Sequence, residues 1–195
     1  MNQPQRMASP TDASAAAIEV RPLAQASRSG WIDPEIDAIF FESAGARSFQ
    51  SSAEREAFRH RWLDRYVYRY SDDCFVALSP EGTPVGYLAG CTENAAELPR
   101  FLDIPYFRVF ADVAATYPAH LHVNIARSYQ RQGIGRRLIT AFAEHCRRLG
   151  RPGFHVVTAA DADNLRFYRR CKLKEVATRT VNGRQLSFLG RRLQG

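Results

Sequence analysis

A chain of 195 residues with 45% hydrophobic and 11% aromatic content can fill one well-packed core, and its length favours one domain over two. The formal charge of +7, carried largely by arginine, points to an anionic ligand and leaves a phosphorylated cofactor, nucleic acid or an acidic surface open. Cys74, Cys91, Cys146 and Cys171 form no Cys-x-x-Cys pair and no Cys/His cluster at zinc spacing, so no metal site is expected, and with no apolar run of the length a membrane helix needs the chain reads as soluble and cytoplasmic.

Residues 1–16, MNQPQRMASPTDASAA, offer too little apolar surface to offset the entropy of ordering, which predicts a flexible tail before a single domain at 17–195. Ile18 to Leu23 alternates as a strand with one buried face. After a turn at Gly30-Trp31, Asp33 caps a helix with Pro34 in its first position, carrying Ile36, Ile39 and Phe40 at helical spacing and ending near Gly45. A second helix starts at Ser51 or Ser52 and runs through Arg65; its stripe Phe58, Trp62, Tyr66 reads as core rather than as a ligand box.

Cys74–Leu78 and Pro84–Gly90 flank Ser79-Pro80-Glu81-Gly82-Thr83 as a strand, turn and strand. Residues 92–118, with Pro99, Pro105, Pro118 and five aromatics, predict an irregular insertion able to line a pocket. Leu121–Ala126, Gly135–Leu149 and Phe154–Ala159 then form a strand, helix and strand unit. A further helix at Asn164–Cys171 precedes two strands joined by Asn182-Gly183, a strong hairpin turn.

The chemistry concentrates in LHVNIARSYQRQGIGRRLI, a strand entering a two-glycine turn and then an amphipathic helix. Gly133 and Gly135 allow a sharp bend and close ligand approach, leaving backbone N–H groups free at a helix N-terminus where the dipole and Arg131, Arg136 and Arg137 favour a diphosphate. A P-loop would need Gly-Lys-Ser/Thr, and a dinucleotide fingerprint a third glycine and a later acid; neither is present. On the preceding strand His120, His122 and Asn124 share one face, and Leu121, Val123 and Ile125 the other. His122, titrating near neutrality, is the first candidate for general base.

Gln130, Gly133 and Gly135, the flanking strands, and the later Asn164-Leu165-Arg166-Phe167-Tyr168-Arg169-Arg170-Cys171 together resemble the GNAT superfamily of N-acetyltransferases, most closely over 119–176 and more loosely over 18–92. A weaker likeness is to acetyltransferase-like domains associated with O-GlcNAc hydrolases. The resemblance implies an α/β (α+β) fold: a mixed, mostly antiparallel sheet of six to seven strands flanked by helices, with a V-shaped splay between strands 4 and 5. It implies acetyl-CoA, or another acyl-CoA, as cosubstrate in that opening. Val123, Asn124, Ile125 and Ala126 would pair with the pantetheine arm. Gln130, Arg131, Gln132, Gly133, Ile134, Gly135 and Arg136 would surround the pyrophosphate, with Asn164, Phe167 and Tyr168 on the next helix. Tyr168 would protonate the leaving thiolate as general acid, and Glu42 on the first helix, where family members often place substrate-contacting groups, is the second candidate for general base, acting through water.

Three positions depart from that pattern: Arg127-Ser128 replaces a proline-bearing turn, Asp161 or Asp163 stands where asparagine is frequent, and Lys172 replaces a glycine. The reading is an N-acetyltransferase acting by direct attack of a small-molecule, peptide or protein amine, as monomer or homodimer, without membrane association. The competing reading is a non-catalytic acyl-CoA-binding or partner-binding module. Nucleic acid is disfavoured because no recognition motif accompanies the arginines. Cys146 and Cys171 read as core, not as a nucleophile relay. Glu42, Asp103 and Asp112 suggest a cationic acceptor.

Overall fold

The computed structural model describes residues 18–26, 34–44 and 48–193. The tail at 1–16, the Gly30-Trp31 turn, the Asp33 cap and the helix stop at Gly45 lie outside these residues. The strands are β1 (Glu19–Pro22), β2 (Phe75–Leu78), β3 (Pro84–Cys91), β4 (Ala119–Ile125), β5 (Gly153–Ala159), β6 (Lys174–Val181) and β7 (Arg184–Arg192). They make one sheet in the order β1-β2-β3-β4-β5-β7-β6. Neighbouring strands are antiparallel except β4 and β5, which run parallel.

The helices are α1 (Leu23–Ala26), α2 (Pro34–Ser43), α3, α4 (Pro105–Val109), α5 (Ala111–Ala114), α6 (Ile134–Arg148) and α7 (Leu165–Arg170). Helix α3 is continuous through Ser52–Arg59, a π turn at His60–Asp64, and Arg65–Arg69. Ser51 caps it by accepting the Glu54 amide at 3.1 Å. Helices cover both faces of the sheet. Phe75, Leu88 and Leu121 pack with Ile134, Leu138 and Phe142 of α6 on one side. Their strand neighbours Val76, Tyr87 and Ala89 pack with Ile36 and Phe40 of α2 and Leu63 and Tyr66 of α3 on the other. Successive strand side chains point to opposite faces, so two covered faces make β2 and β3 apolar throughout, and every residue of both is buried.

The aromatic stripe on α3 divides. The π turn lies between Phe58 and Tyr66 and changes the phase of the helix there. Tyr66 is fully buried, while Phe58 and Trp62 remain partly open. The stripe read as core is therefore core only at one end. The insertion at 92–118 folds as short 3-10 turns at Ala95–Glu97 and Pro99–Phe101 followed by α4 and α5, and Phe101, Phe107 and Phe110 are buried.

Helix α7 ends in a Schellman arrangement. Leu173 N donates to Tyr168 O at 3.1 Å and Lys172 N to Arg169 O at 3.0 Å. The geometry puts Lys172 at φ 67°, where a side chain is strained. Substituting Lys172→Gly is expected to raise unfolding free energy by up to about 1 kcal/mol, measured by denaturant titration. The β6–β7 turn has positive φ at both Asn182 and Gly183, as a two-residue hairpin requires.

Candidate active site

Strands β4 and β5 share only two residue pairs, Ala119↔Phe154 and His120↔His155. Beyond them β4 stays on β3 as far as Gly86↔Ile125, and β5 stays on β7 as far as Ala159↔Leu186. Each strand follows its antiparallel neighbour, and the two part into a V. The gap opens onto a cavity of about 220 Å³. One wall is Phe40, Ser43 and Ala44 at the end of α2 with Phe58 and Trp62 of α3; the other is Val123 and Asn124, Val157 and Thr158, and Asn164 and Tyr168, with His122 between them. A larger concavity, about 520 Å³, lies at the opposite end of the sheet among Arg147, Lys172, Lys174, Arg191 and Arg192.

The turn between β4 and α6 leaves backbone amides open at a helix N-terminus. Arg131 and Gly133 take positive φ of 63° and 81°, reversing the chain tightly before the helix. A Cβ on Gly133 would meet nothing within 4 Å, so this glycine serves backbone conformation and leaves the approach open. No side chain caps α6, and its first turn holds no acid, so the amides of Ile134, Gly135 and Arg136 present an uncancelled positive end. Gln130 Nε2 donates to Ile125 O at 3.1 Å and Gln132 Nε2 to Ser128 O at 3.1 Å. The two glutamines therefore brace the loop through their side chains. Arg131 and Arg136 are exposed, whereas Arg137 turns back to donate to Ile18 O.

Gly135 has a packing task in addition to the one its motif position suggests. A Cβ there would stand 2.9 Å from Phe167 Cζ and 3.1 Å from Cε2, so the absent side chain is space for the Phe167 ring. This glycine packs α6 against α7, and Phe167 reaches the loop by filling it. Ala126 also differs from expectation. Its N–H donates to Val85 O at 3.0 Å and its carbonyl accepts from Tyr129 N at 2.8 Å, leaving Val123 to Ile125 as the strand edge beside the gap.

Tyr168 is the α7 side chain that lines the cavity from the α6 face. Burial, and then Cys171, raise its phenol well above the usual tyrosine range, so it stays protonated and able to donate. Asn164 Oδ1 accepts from Thr158 Oγ1 at 3.1 Å, and Asn124 Nδ2 donates to Tyr87 OH at 2.7 Å, fixing polar groups on either side of the V.

His122 stands at the cavity edge-to-face with Trp62, ring centroids 5.3 Å apart. Tyr66 OH lies 3.2 Å from its Nε2 and 3.1 Å from Nε2 of His120. One hydroxyl donates once, so one imidazole must donate to it. His120 Nδ1 is buried with no partner among the described residues. A bare lone pair there is cheaper than a stranded N–H, which assigns His120 Nε2–H as donor to Tyr66 and Tyr66 O–H as donor to His122 Nε2. The lone pair of His122 is then already engaged, and burial pushes the imidazole down to about 4. His122 is a neutral, oriented wall of the site at pH 7 and a poor proton acceptor, contrary to the expectation that it titrates near neutrality. Glu42 is exposed; its Oε2 accepts from Arg127 N at 3.2 Å, tying α2 to the turn between β4 and α6, and it does not line the cavity.

A model of the acetyltransferase (GNAT) family matches residues 40–172. The chain belongs to the GNAT acetyltransferase family. Acyl transfer is the activity of that class, and the seven-stranded sheet with its parallel β4–β5 splay is its fold. No curated protein sequence matches the chain. Among solved structures, SsHAT is 22% identical with a TM-score of 0.69, covering 92% of this chain and 100% of its own. An N-acetyltransferase from Staphylococcus aureus Mu50 is 14% identical at TM-score 0.59, covering 91% and 99%. The NatC complex bound to Gag peptide and CoA contains a chain 14% identical at TM-score 0.57, covering 91% and 99%. At such identities these likenesses show the GNAT fold alone.

Within this GNAT chain the cysteines are set in the interior. All four are buried and free, and burial pushes the thiols of Cys74, Cys91 and Cys146 up to about 12, far from thiolate formation. The acids expected to attract a cationic acceptor are engaged elsewhere: Asp103 with Arg61 and Arg65 at 3.0 and 2.8 Å, Asp112 with Arg179 at 2.7 Å. Sequence reasoning missed Phe58 and Trp62 as cavity walls and Tyr66 as the hinge between two histidines. The signal for the last was the histidine pair at i, i+2 on β4, which needs a polar partner once its face is covered.

Proposed function

We propose that the protein transfers an acyl group, acetyl in the first instance, from acyl-CoA to a primary amine by direct attack. The opening of β4 from β5 onto a cavity that Tyr168 lines carries this reading. The uncapped, acid-free N-terminus of α6 behind an unobstructed Gly133 fits a diphosphate-bearing cosubstrate. When bound, acyl-CoA supplies the activated thioester.

The residues divide the work. Amides of Ile134, Gly135 and Arg136, with the exposed Arg131 and Arg136 guanidinium groups, hold phosphate, while Gln130 and Gln132 keep the loop in shape. The unpaired edge of Val123 to Ile125 offers backbone N–H and C=O groups to an extended arm and a donor to the thioester carbonyl. Tyr168 gives its proton to the departing sulfur. His122, held by Tyr66, shapes the amine's approach, and the amine's proton leaves to water. No enzyme-bound acyl intermediate is needed, in keeping with buried, un-ionised thiols.

Isothermal titration with acetyl-CoA tests the assignment. Wild type should bind, and Arg131→Glu/Arg136→Glu, which alters two exposed side chains, should bind about tenfold more weakly or worse, with a difference that shrinks as salt rises. Failure of wild type to bind acetyl-CoA and longer acyl-CoAs would remove the enzyme reading and favour a partner-binding module.

A further inference from the structure

We propose that the acceptor is a small amine on an apolar, aromatic-sized arm with no second positive charge: an arylalkylamine in preference to a polyamine. This rests on the acyl-transfer reading of the same cavity. The half of the cavity away from β5 is walled by Phe40, Phe58 and Trp62, and among the described residues no carboxylate lines it. Four carboxylates on α2 and α3 and just before α4 already have partners. Asp37 takes Arg59 at 2.5 Å and Arg55 at 3.6 Å; Asp64 takes Arg59 at 2.7 Å; Asp103 takes Arg61 and Arg65; Glu42 takes the Arg127 amide.

Arg65 NH1 is buried without a hydrogen-bond partner among the described residues. Its NH2 holds Asp103 at 2.8 Å, so this carboxylate is already taken by a cation and offers no counter-charge to a second ammonium. A second ammonium would be desolvated there with no counter-ion, and a cation–π contact would recover only part of that cost. An aromatic arm loses little on leaving water and gains ring contacts with Trp62, which Tyr106 braces from behind, stacked at 6.3 Å, and His122 meets edge-on. The same surroundings favour the neutral form of the reacting amine, which is the nucleophile.

Initial rates of CoA thiol release, with acetyl-CoA and either 2-phenylethylamine, putrescine or spermidine, test this on the full chain. The expected kcat/KM for 2-phenylethylamine exceeds that for putrescine by about tenfold or more. Trp62→Ala should lower the phenylethylamine value by about tenfold while the acetyl-CoA Kd stays within about twofold. Ser43→Asp, at an exposed position on the cavity rim, should raise the putrescine value by about tenfold by supplying the missing counter-charge. Equal or faster turnover of putrescine or spermidine by wild type, or turnover of none of the three while acetyl-CoA is bound, overturns the acceptor inference alone. Absence of acetyl-CoA binding overturns the acyl-transfer reading beneath it.

Discussion

Replacing Tyr168 by phenylalanine is expected to lower kcat and kcat/KM together by about 100-fold or more while leaving the acetyl-CoA Kd within about twofold. The change removes one oxygen from a side chain that is 7% exposed and belongs to the α6-side core, so the ring's packing is kept. Only the donated proton is lost. Burial raises the phenol well above its usual range, so the hydroxyl is fully protonated at every pH at which the protein is folded and active, and its loss should not alter the shape of the pH–rate profile. A packing role gives a different pattern: phenylalanine would then keep kcat, and leucine would reduce both kcat and stability. Retention of kcat within about threefold in the phenylalanine variant would mean that the thiolate departs unaided.

The sheet was readable because its strands carry their own punctuation. Ser79 to Thr83 and Asn182-Gly183 are turns of a known geometry between β-formers, and both appear where expected, the latter with φ of 49° and 76°. The parallel β4–β5 pair was implied by the family likeness and by the helix between the strands, because a crossover of that length returns parallel. The boundaries slid by one to three residues: β4, expected at Leu121–Ala126, is found at Ala119–Ile125, and β7, expected to end at Leu189, runs to Arg192.

The site was legible where backbone conformation makes it and obscure where tertiary packing does. Gly133 has a local reason, positive φ, which a sequence can announce. Gly135 has a remote one: the Phe167 ring, 32 positions later, occupies the space of its missing side chain. Periodicity placed Phe58, Trp62 and Tyr66 on one stripe, but a π turn is not visible as a period, and it separates a core residue from two cavity walls. The charges misled for a related reason. Glu42, Asp103 and Asp112 look available on paper, yet a chain with more arginines than acids leaves its carboxylates engaged by cations and backbone amides from other elements.

Acidification from pH 7.5 to 4.5 is expected to remove several kcal/mol of stability, on the order of 3 kcal/mol for each of the buried histidines His122 and His155, with a further loss from His120. Burial pushes His122 and His155 down to about 4 and His120 well below 6.5; proximity to one another adds to the effect at His120 and His155. The unfolded chain takes up protons near pH 6.5 that the folded chain refuses, so more protons are bound in the unfolded state throughout the window from about 6.5 to 4. Stability is therefore complete above pH 6.5 and falls as the pH drops through that window. The carboxylates held down by arginine act later: Asp112 sits at about 2 and Asp103 below its ordinary value, so neither contributes a fall above pH 4. Burial outweighs what the cluster offers a charged imidazole, which at His155 is backbone carbonyl groups of Tyr117 and Ala119. His155 Nδ1 already donates to Tyr117 O at 2.6 Å and its ring stacks on Phe188, centroids 4.3 Å apart, while His120 packs against Phe101 and Phe107. Urea titrations at pH 7.5, 6.0 and 4.5 would read the slope, and histidine ring NMR signals that do not titrate between pH 7 and 5 would locate it. Stability unchanged or higher at pH 4.5 would mean that these imidazoles are charged in the fold, and with that Tyr66 could no longer hold His122 as a neutral wall of the amine's path.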